Sequence, residues 1–187
     1  MPSGPGPIPD SLIRDIAETV PPAVATFLLT CETTAKPIIA QQRYCRTNTI
    51  QLVDAVADGV HDALRDALPG ISIVQVIHVR DEIALSEAVD VSRKVDAILL
   101  DSGQPTLAVK QLGGTGRTHD WSLSRRIRDA VDIPVFLAGG LNAGNVSRGI
   151  AQVSPYGVDV CSGLRVDGAL DEVKLRDFMR AVQEARA

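Results

Sequence analysis

Aromatic residues are scarce in this sequence, with three Phe, two Tyr and one Trp among 187 residues. So little stacking surface, joined to a net charge of −4, excludes a nucleic-acid binder, which needs a cationic field and ring platforms. Long apolar runs are also missing. The longest stretch five to seven residues, against the roughly 20 that cross a bilayer as a helix, so no membrane partner is expected. Cysteine is limited to Cys31, Cys45 and Cys161. An odd set without metal-ligand spacing points to reduced thiols in a cytosol-like compartment, and no metal site is expected. The chain opens without a cationic stretch and apolar run, so a cytoplasmic protein without a secretory leader is expected. Residues 1–9, with four Pro and two Gly, read as a disordered N-terminus.

What is present is a rhythm. Short, β-branched apolar runs occur at Ala23–Leu29, Thr49–Val53, Ile71–Val79, Val95–Leu100, Ile133–Leu137 and Gly157–Cys161. They are too short for helices and too continuously apolar for half-exposed antiparallel strands, so buried parallel strands fit. Helical spacing fills the intervals: Asp10–Thr19, Lys36–Arg43, His61–Leu68, Glu82–Arg93, Ser122–Ala130, Asn145–Val153 and Asp171–Ala185. Pro69-Gly70, Pro134 and Ser154-Pro155 punctuate the helix ends. Alternating strands and helices predict an α/β fold with a parallel sheet, one domain over residues 10–187. Six strands against about seven helices leave the first helix with no strand before it. Either the sheet is open, or two βα units are absent from the chain.

Ligands of parallel α/β folds meet the carboxyl ends of the strands. Asp101 ends the run Ala97-Ile-Leu-Leu-Asp101 there, as a turn residue bonding nearby backbone or as a general acid or base with a pKa raised by partial desolvation. The loop Leu112-Gly-Gly-Thr-Gly-Arg-Thr-His-Asp-Trp121 places Gly113, Gly114 and Gly116 where bare amides could approach an anion, or where a surface loop simply bends. It is neither a dinucleotide fingerprint nor a P-loop. Gly139-Gly140 follows one late strand and Ser162-Gly163 the next. Two successive Gly-rich strand ends are the arrangement by which the last two units of a barrel hold a phosphate. His78 is placed to face the site, whereas His61 and His119 read as solvated or loop residues. Cys45 precedes a strand and reads as buried structure, Cys31 follows a strand on the ligand face, and Cys161 reads as packing.

Leu99-Leu-Asp-Ser102, Gly113-Gly-Thr-Gly116 with Asp120-Trp121, Leu137-Ala-Gly-Gly-Leu141 with Asn145-Val146, and Gly157-Val-Asp-Val-Cys-Ser-Gly163 together resemble phosphoribosylanthranilate isomerase. That family, from tryptophan biosynthesis, has a (β/α)8 TIM barrel. The resemblance is close from Val95 onward and looser upstream, at Pro21-Pro22 and Thr49-Ile-Gln-Leu52. It implies an Amadori rearrangement of N-(5-phosphoribosyl)anthranilate, with a phosphosugar as partner and no cofactor or metal. Asp101 then corresponds to the family's general acid, which protonates the furanose oxygen. Asp159 corresponds to a polar position at the same barrel mouth. Gly139, Gly140, Ser162 and Gly163 correspond to its phosphate clamp, with Gly113, Gly114 and Gly116 in a loop closing over substrate.

The departures are as specific. The family's opening Lys-x-Cys-Gly strand, whose thiolate is the general base, has no counterpart, nor does the Ser-Pro-Arg-like loop of its second strand. Its Gln-Leu-His-Gly reads Gln51-Leu-Val-Asp54. The expectation is therefore an incomplete TIM-type barrel of about six parallel strands lacking the first two βα units. Three accounts are open: a start upstream of Met1, a homodimer mate or other chain that completes the barrel, or a catalytically inactive phosphosugar-binding remnant. The resemblance to other phosphosugar barrels is weaker, since paired metal-binding histidines and a strand-end lysine array are missing.

Overall fold

The computed structural model describes residues 7–103 and 118–185. Six strands form one all-parallel sheet in sequential order. They are β1 (Phe27–Thr30), β2 (Thr49–Leu52), β3 (Ser72–His78), β4 (Ala97–Asp101), β5 (Val135–Leu137) and β6 (Gly157–Val158). Helices α2 (Ala35–Cys45), α3 (Val60–Ala67), α4 (Ile83–Ser92), α5 (Trp121–Ala130) and α6 (Val146–Val153) connect them, with α1 (Asp10–Thr19) before β1 and α7 (Glu172–Glu184) at the end. The six strands and seven helices fall where the apolar runs and helical spacing predict.

Alternation along the strands divides the core into two layers. Ile50, Leu52, Ile73, Ile77, Ile98, Leu100 and Val135 turn outward to Ile38, Leu64, Ala88 and Ile127 of the helices. The other parity, Val74, Val76, Ala97 and Leu99 with Val53 and Ala138, makes a smaller inner cluster. Both faces of the central strands are covered, which is why their sequence runs apolar without alternation.

The sheet is curled. β1 and β5 lie four strand spacings apart, roughly 19 Å along a flat sheet. Yet the Phe27 and Phe136 rings stand 6.4 Å apart, edge to face, and Phe136 meets Tyr156 at 5.6 Å. Rings on one face can meet over that span only if the face is concave, as in a barrel wall. Gly157 has no side chain because a Cβ there would come within 2.9 Å of the Phe136 ring.

Three details depart from the sequence reading. The first strand begins at Phe27 rather than Ala23, because Ala23 takes a positive φ of 76° and the chain turns there. The last parallel strand is two residues long and stops before Asp159. A 3-10 turn (Ser162–Leu164) and a hairpin of β7 (Arg165–Val166) and β8 (Ala169–Leu170) follow it, unforeseen in the sequence. Asp167 and Gly168 join the hairpin with φ of 50° and 81°, the two positive angles that a tight I′-type turn requires.

Among the described residues, β1 and β6 are the two edges of the sheet. α1 lies beside that opening, packed on α2, where Gln41 donates to the Asp10 carboxylate at 2.9 Å. None of its residues is buried, so its apolar stripe remains open on the side of Ile13 and Ile16. No helix among the described residues is long and apolar enough to cross a membrane.

Candidate active site

A cavity of about 810 Å³ opens at the carboxyl ends of the strands and extends into the space between β1 and β6. Its size lies within the range of small-molecule sites. Asp101, Gly139, Gly140, Asp159 and Ser162 all line it, so the strand-end acid and both late turns face one space. Gly113, Gly114 and Gly116 lie outside the described residues.

Asp101 closes β4 with inner-face parity and is 6% exposed. Burial pushes its carboxyl pKa up, against the amides of Ser102 and Gly103 and the nearby His78, which pull it down. Asp159 is held by its own amide, which donates to the Leu137 carbonyl at 2.8 Å, while the Ala138 amide donates to Leu100 at 2.8 Å. Those bonds place the two acids on either side of Ala138, across a single strand. Asp159 is exposed to the cavity yet walled by protein, and its pKa is also raised, first by desolvation and then by Asp101. Burial is the first cause at both carboxyls, and the charge of Asp101 further disfavours ionisation of Asp159.

The two turns are built for close backbone approach. Gly139 and Gly140 have φ of 82° and 63°. At Gly139 a Cβ would come within 2.9 Å of the Ser102 amide nitrogen, so the glycine is required both by angle and by space. Asn145 braces the turn, donating to the Gly140 carbonyl at 3.0 Å and accepting from the Asn142 amide at 2.9 Å. Gly163 presses on this turn from the next unit, where any Cβ would run into the Leu141 carbonyl. Backbone thus lies on backbone, and no described group accepts from the amides of Gly139, Gly140, Ser162 or Gly163. Clustered, uncommitted N–H groups of this kind suit an anion.

The histidines and cysteines sort differently from the sequence reading. His78 is buried and its Nε2–H donates to the Val53 carbonyl at 3.0 Å. It is the register partner of Asp101 on the neighbouring strand. His119 is no solvated loop residue. It bonds Ser124 Oγ at 2.7 Å, its Nδ1 lies against Gly139, and burial lowers its pKa to about 4. His61 bonds the Gln75 carboxamide at 3.2 Å. Cys45 is buried as expected, its thiol pushed up to about 11 by desolvation. Cys161 is exposed rather than packed and lines the cavity together with Cys31, because the chain leaves the sheet before it.

This arrangement has known counterparts. Residues 16–181 match the protein family described as N-(5'-phosphoribosyl)anthranilate (PRA) isomerase. The N-(5'-phosphoribosyl)anthranilate isomerase of Haloferax volcanii is 37% identical over 183 residues, covering 97% of this chain and 79% of the relative. This chain belongs to the phosphoribosylanthranilate isomerase family. The isomerase of Methanocella arvoryzae is 33% identical, over 91% of this chain and 78% of its own length. Among solved structures, the phosphoribosylanthranilate isomerase of Thermotoga maritima superposes with a TM-score of 0.79 at 27% identity, over 98% of this chain and 84% of that one. The six-stranded sheet is therefore of the TIM-barrel type found in this isomerase family, and Asp101, Gly139, Gly140 and Ser162 lie at the carboxyl ends of its strands.

Proposed function

We propose that the cavity binds N-(5-phosphoribosyl)anthranilate and carries its Amadori rearrangement to 1-(2-carboxyphenylamino)-1-deoxyribulose 5-phosphate, with Asp101 as general acid. The observation that carries this reading is the convergence of a buried, proton-retaining carboxyl and two amide-rich turns on one space. A related isomerase structure, 25% identical with a TM-score of 0.75, is described as a complex with reduced 1-(o-carboxyphenylamino)-1-deoxyribulose 5-phosphate.

In this reading the phosphate seats on the amides of Gly139, Gly140, Ser162 and Gly163. Asp101 gives its proton to the ring oxygen as the C1–O bond breaks, and the nitrogen lone pair forms the C1=N bond. A base then takes the C2 proton, and the C2–H electrons form the C1=C2 bond while the C1=N pair returns to nitrogen. Tautomerisation of this enolamine places a ketone at C2 and a CH2 at C1. Burial keeps the proton on Asp101, which matters because an acid ionised before the first step has no proton to give.

The base belongs to the open side. We infer that two further βα units, bearing the thiolate, fill the space between β1 and β6 in the active enzyme, on the same polypeptide or on a second one. The free edges of β1 and β6 and the uncovered stripe of α1 support this, since paired edges and a covered stripe would cost nothing in exposed donors or apolar surface.

Turnover followed as loss of substrate fluorescence tests both parts. Activity that appears when a chain carrying those two units is joined to or mixed with this one supports the whole reading. Inactivity of both, with phosphosugar ligands still protecting against heat, would reduce the protein to a binding module. Cys31 lines the cavity and is the alternative base, and turnover unchanged in C31S would remove it.

A further inference from the structure

Besides its two cysteines, the cavity that holds Asp101 presents four charged or ionisable side chains: Glu32, Asp101, Asp159 and Arg165. Among the described lining residues Arg165 is the one Lys or Arg. A phosphate monoester entering beside these acidic side chains is repelled by any that are ionised. Main-chain amides answer it only with partial charges.

Arg165 opens the β7–β8 hairpin, two residues beyond Gly163. Its Nη1 donates to the Gly168 carbonyl at 2.7 Å, and its own carbonyl accepts from Lys174 Nζ at 3.0 Å. The first bond holds the guanidinium to the hairpin tip and the second fixes the backbone it springs from, and Gly168 lines the cavity as well. Several arginines elsewhere are committed to carboxylates, as Arg126 is to Glu82 and Arg65 to Asp96. Arg165 forms no ion pair among the described residues. With Nη1 engaged through one hydrogen, the remaining donors of its fork are available to a planar or tetrahedral anion.

We propose that Arg165 is the counter-cation of the substrate phosphate, reaching from the hairpin to the anion held on the Gly139–Gly140 and Ser162–Gly163 turns. The inference rests on the phosphosugar reading of this cavity. It assigns to the hairpin a binding role, and it makes phosphate affinity depend on a side chain as well as on backbone.

Titration calorimetry with ribose 5-phosphate and, separately, with anthranilate distinguishes the two anionic ends of the substrate. R165Q is expected to weaken ribose 5-phosphate about 10- to 100-fold, the usual range for losing a charged hydrogen bond, while anthranilate affinity holds. In a turning-over enzyme the same variant raises KM and spares kcat. R165K, which keeps the charge without the fork, is expected to recover part of the affinity, and it serves as the measured variant if R165Q melts early. Unchanged ribose 5-phosphate binding in both variants overturns the inference and leaves the isomerase reading standing, as does a loss confined to anthranilate. Failure of the unaltered protein to bind ribose 5-phosphate overturns the phosphosugar reading and the inference together.

Discussion

At the scale of single residues, the molecule separates groups that hold protons from groups that refuse them. D101N retains the shape of the acid and removes its proton, so kcat in the completed enzyme is expected to fall about 10²- to 10⁴-fold. Ribose 5-phosphate affinity should stay within a few-fold, read by calorimetry on the same preparation. His119 acts on stability instead. Its imidazole is held at about 4 by burial, below the roughly 6.5 of an unfolded chain. Between those values the unfolded state binds a proton that the folded state does not, so stability declines as pH falls from about 6.5 towards 4. The full window corresponds to on the order of 3 kcal/mol. H119Q keeps a partner for Ser124 and has nothing to titrate. The loss of urea midpoint between about pH 7 and pH 4.5 should therefore be smaller in the variant than in the parent. Asp101 was readable in the sequence because a carboxylate ending an apolar strand has few places to go. His119 was not, because its surroundings come from Ser124 on the next helix and Gly139 on another strand.

At the scale of elements, chemistry depends on two turns touching without side chains between them. A methyl at Gly163 must displace the Leu141 carbonyl, and the displacement separates the amide clusters that face the cavity. G163A is expected to cost roughly 1–3 kcal/mol, as overpacking does, and to weaken phosphate ligands in proportion, measured by melting with and without ribose 5-phosphate. A methyl at Gly163 that left both unchanged would mean the turns do not act together. Helix ends were legible where a side chain caps them: Asp120 accepts from the Ser122 amide at 2.8 Å, and Asp171 from Lys174 at 2.9 Å. The β7–β8 hairpin went unread although Asp167-Gly168 is a strong hairpin signal. Its strands are two residues each, too short to show alternation.

At the scale of the whole molecule, stability is expected to be graded from the middle of the sheet outward. β3 and β4 have partners on both sides and core on both faces, whereas Phe27 and Leu29 of β1 are 38% and 44% exposed. Amide hydrogen exchange should find β3 and β4 opening only with global unfolding, and β1 and β6 opening locally at lower cost. Binding of two βα units at the free edges should slow exchange at β1 and β6 selectively. Uniform protection across all six strands would contradict an open side.

The order and type of the elements, the parallel sheet and the placement of Asp101 and the glycine pairs at strand ends were determined by the sequence itself. Each follows from local periodicity and turn chemistry within one segment. Tertiary structure alone decided what meets across segments: the curl that brings Phe27 to Phe136, the contact of Gly163 with Leu141, the influence of Asp101 on Asp159, and the place of Arg165 in the cavity lining. Those pairings join residues far apart in the chain, and only the closing of the sheet into an arc brings them within the few ångströms over which packing and charge act.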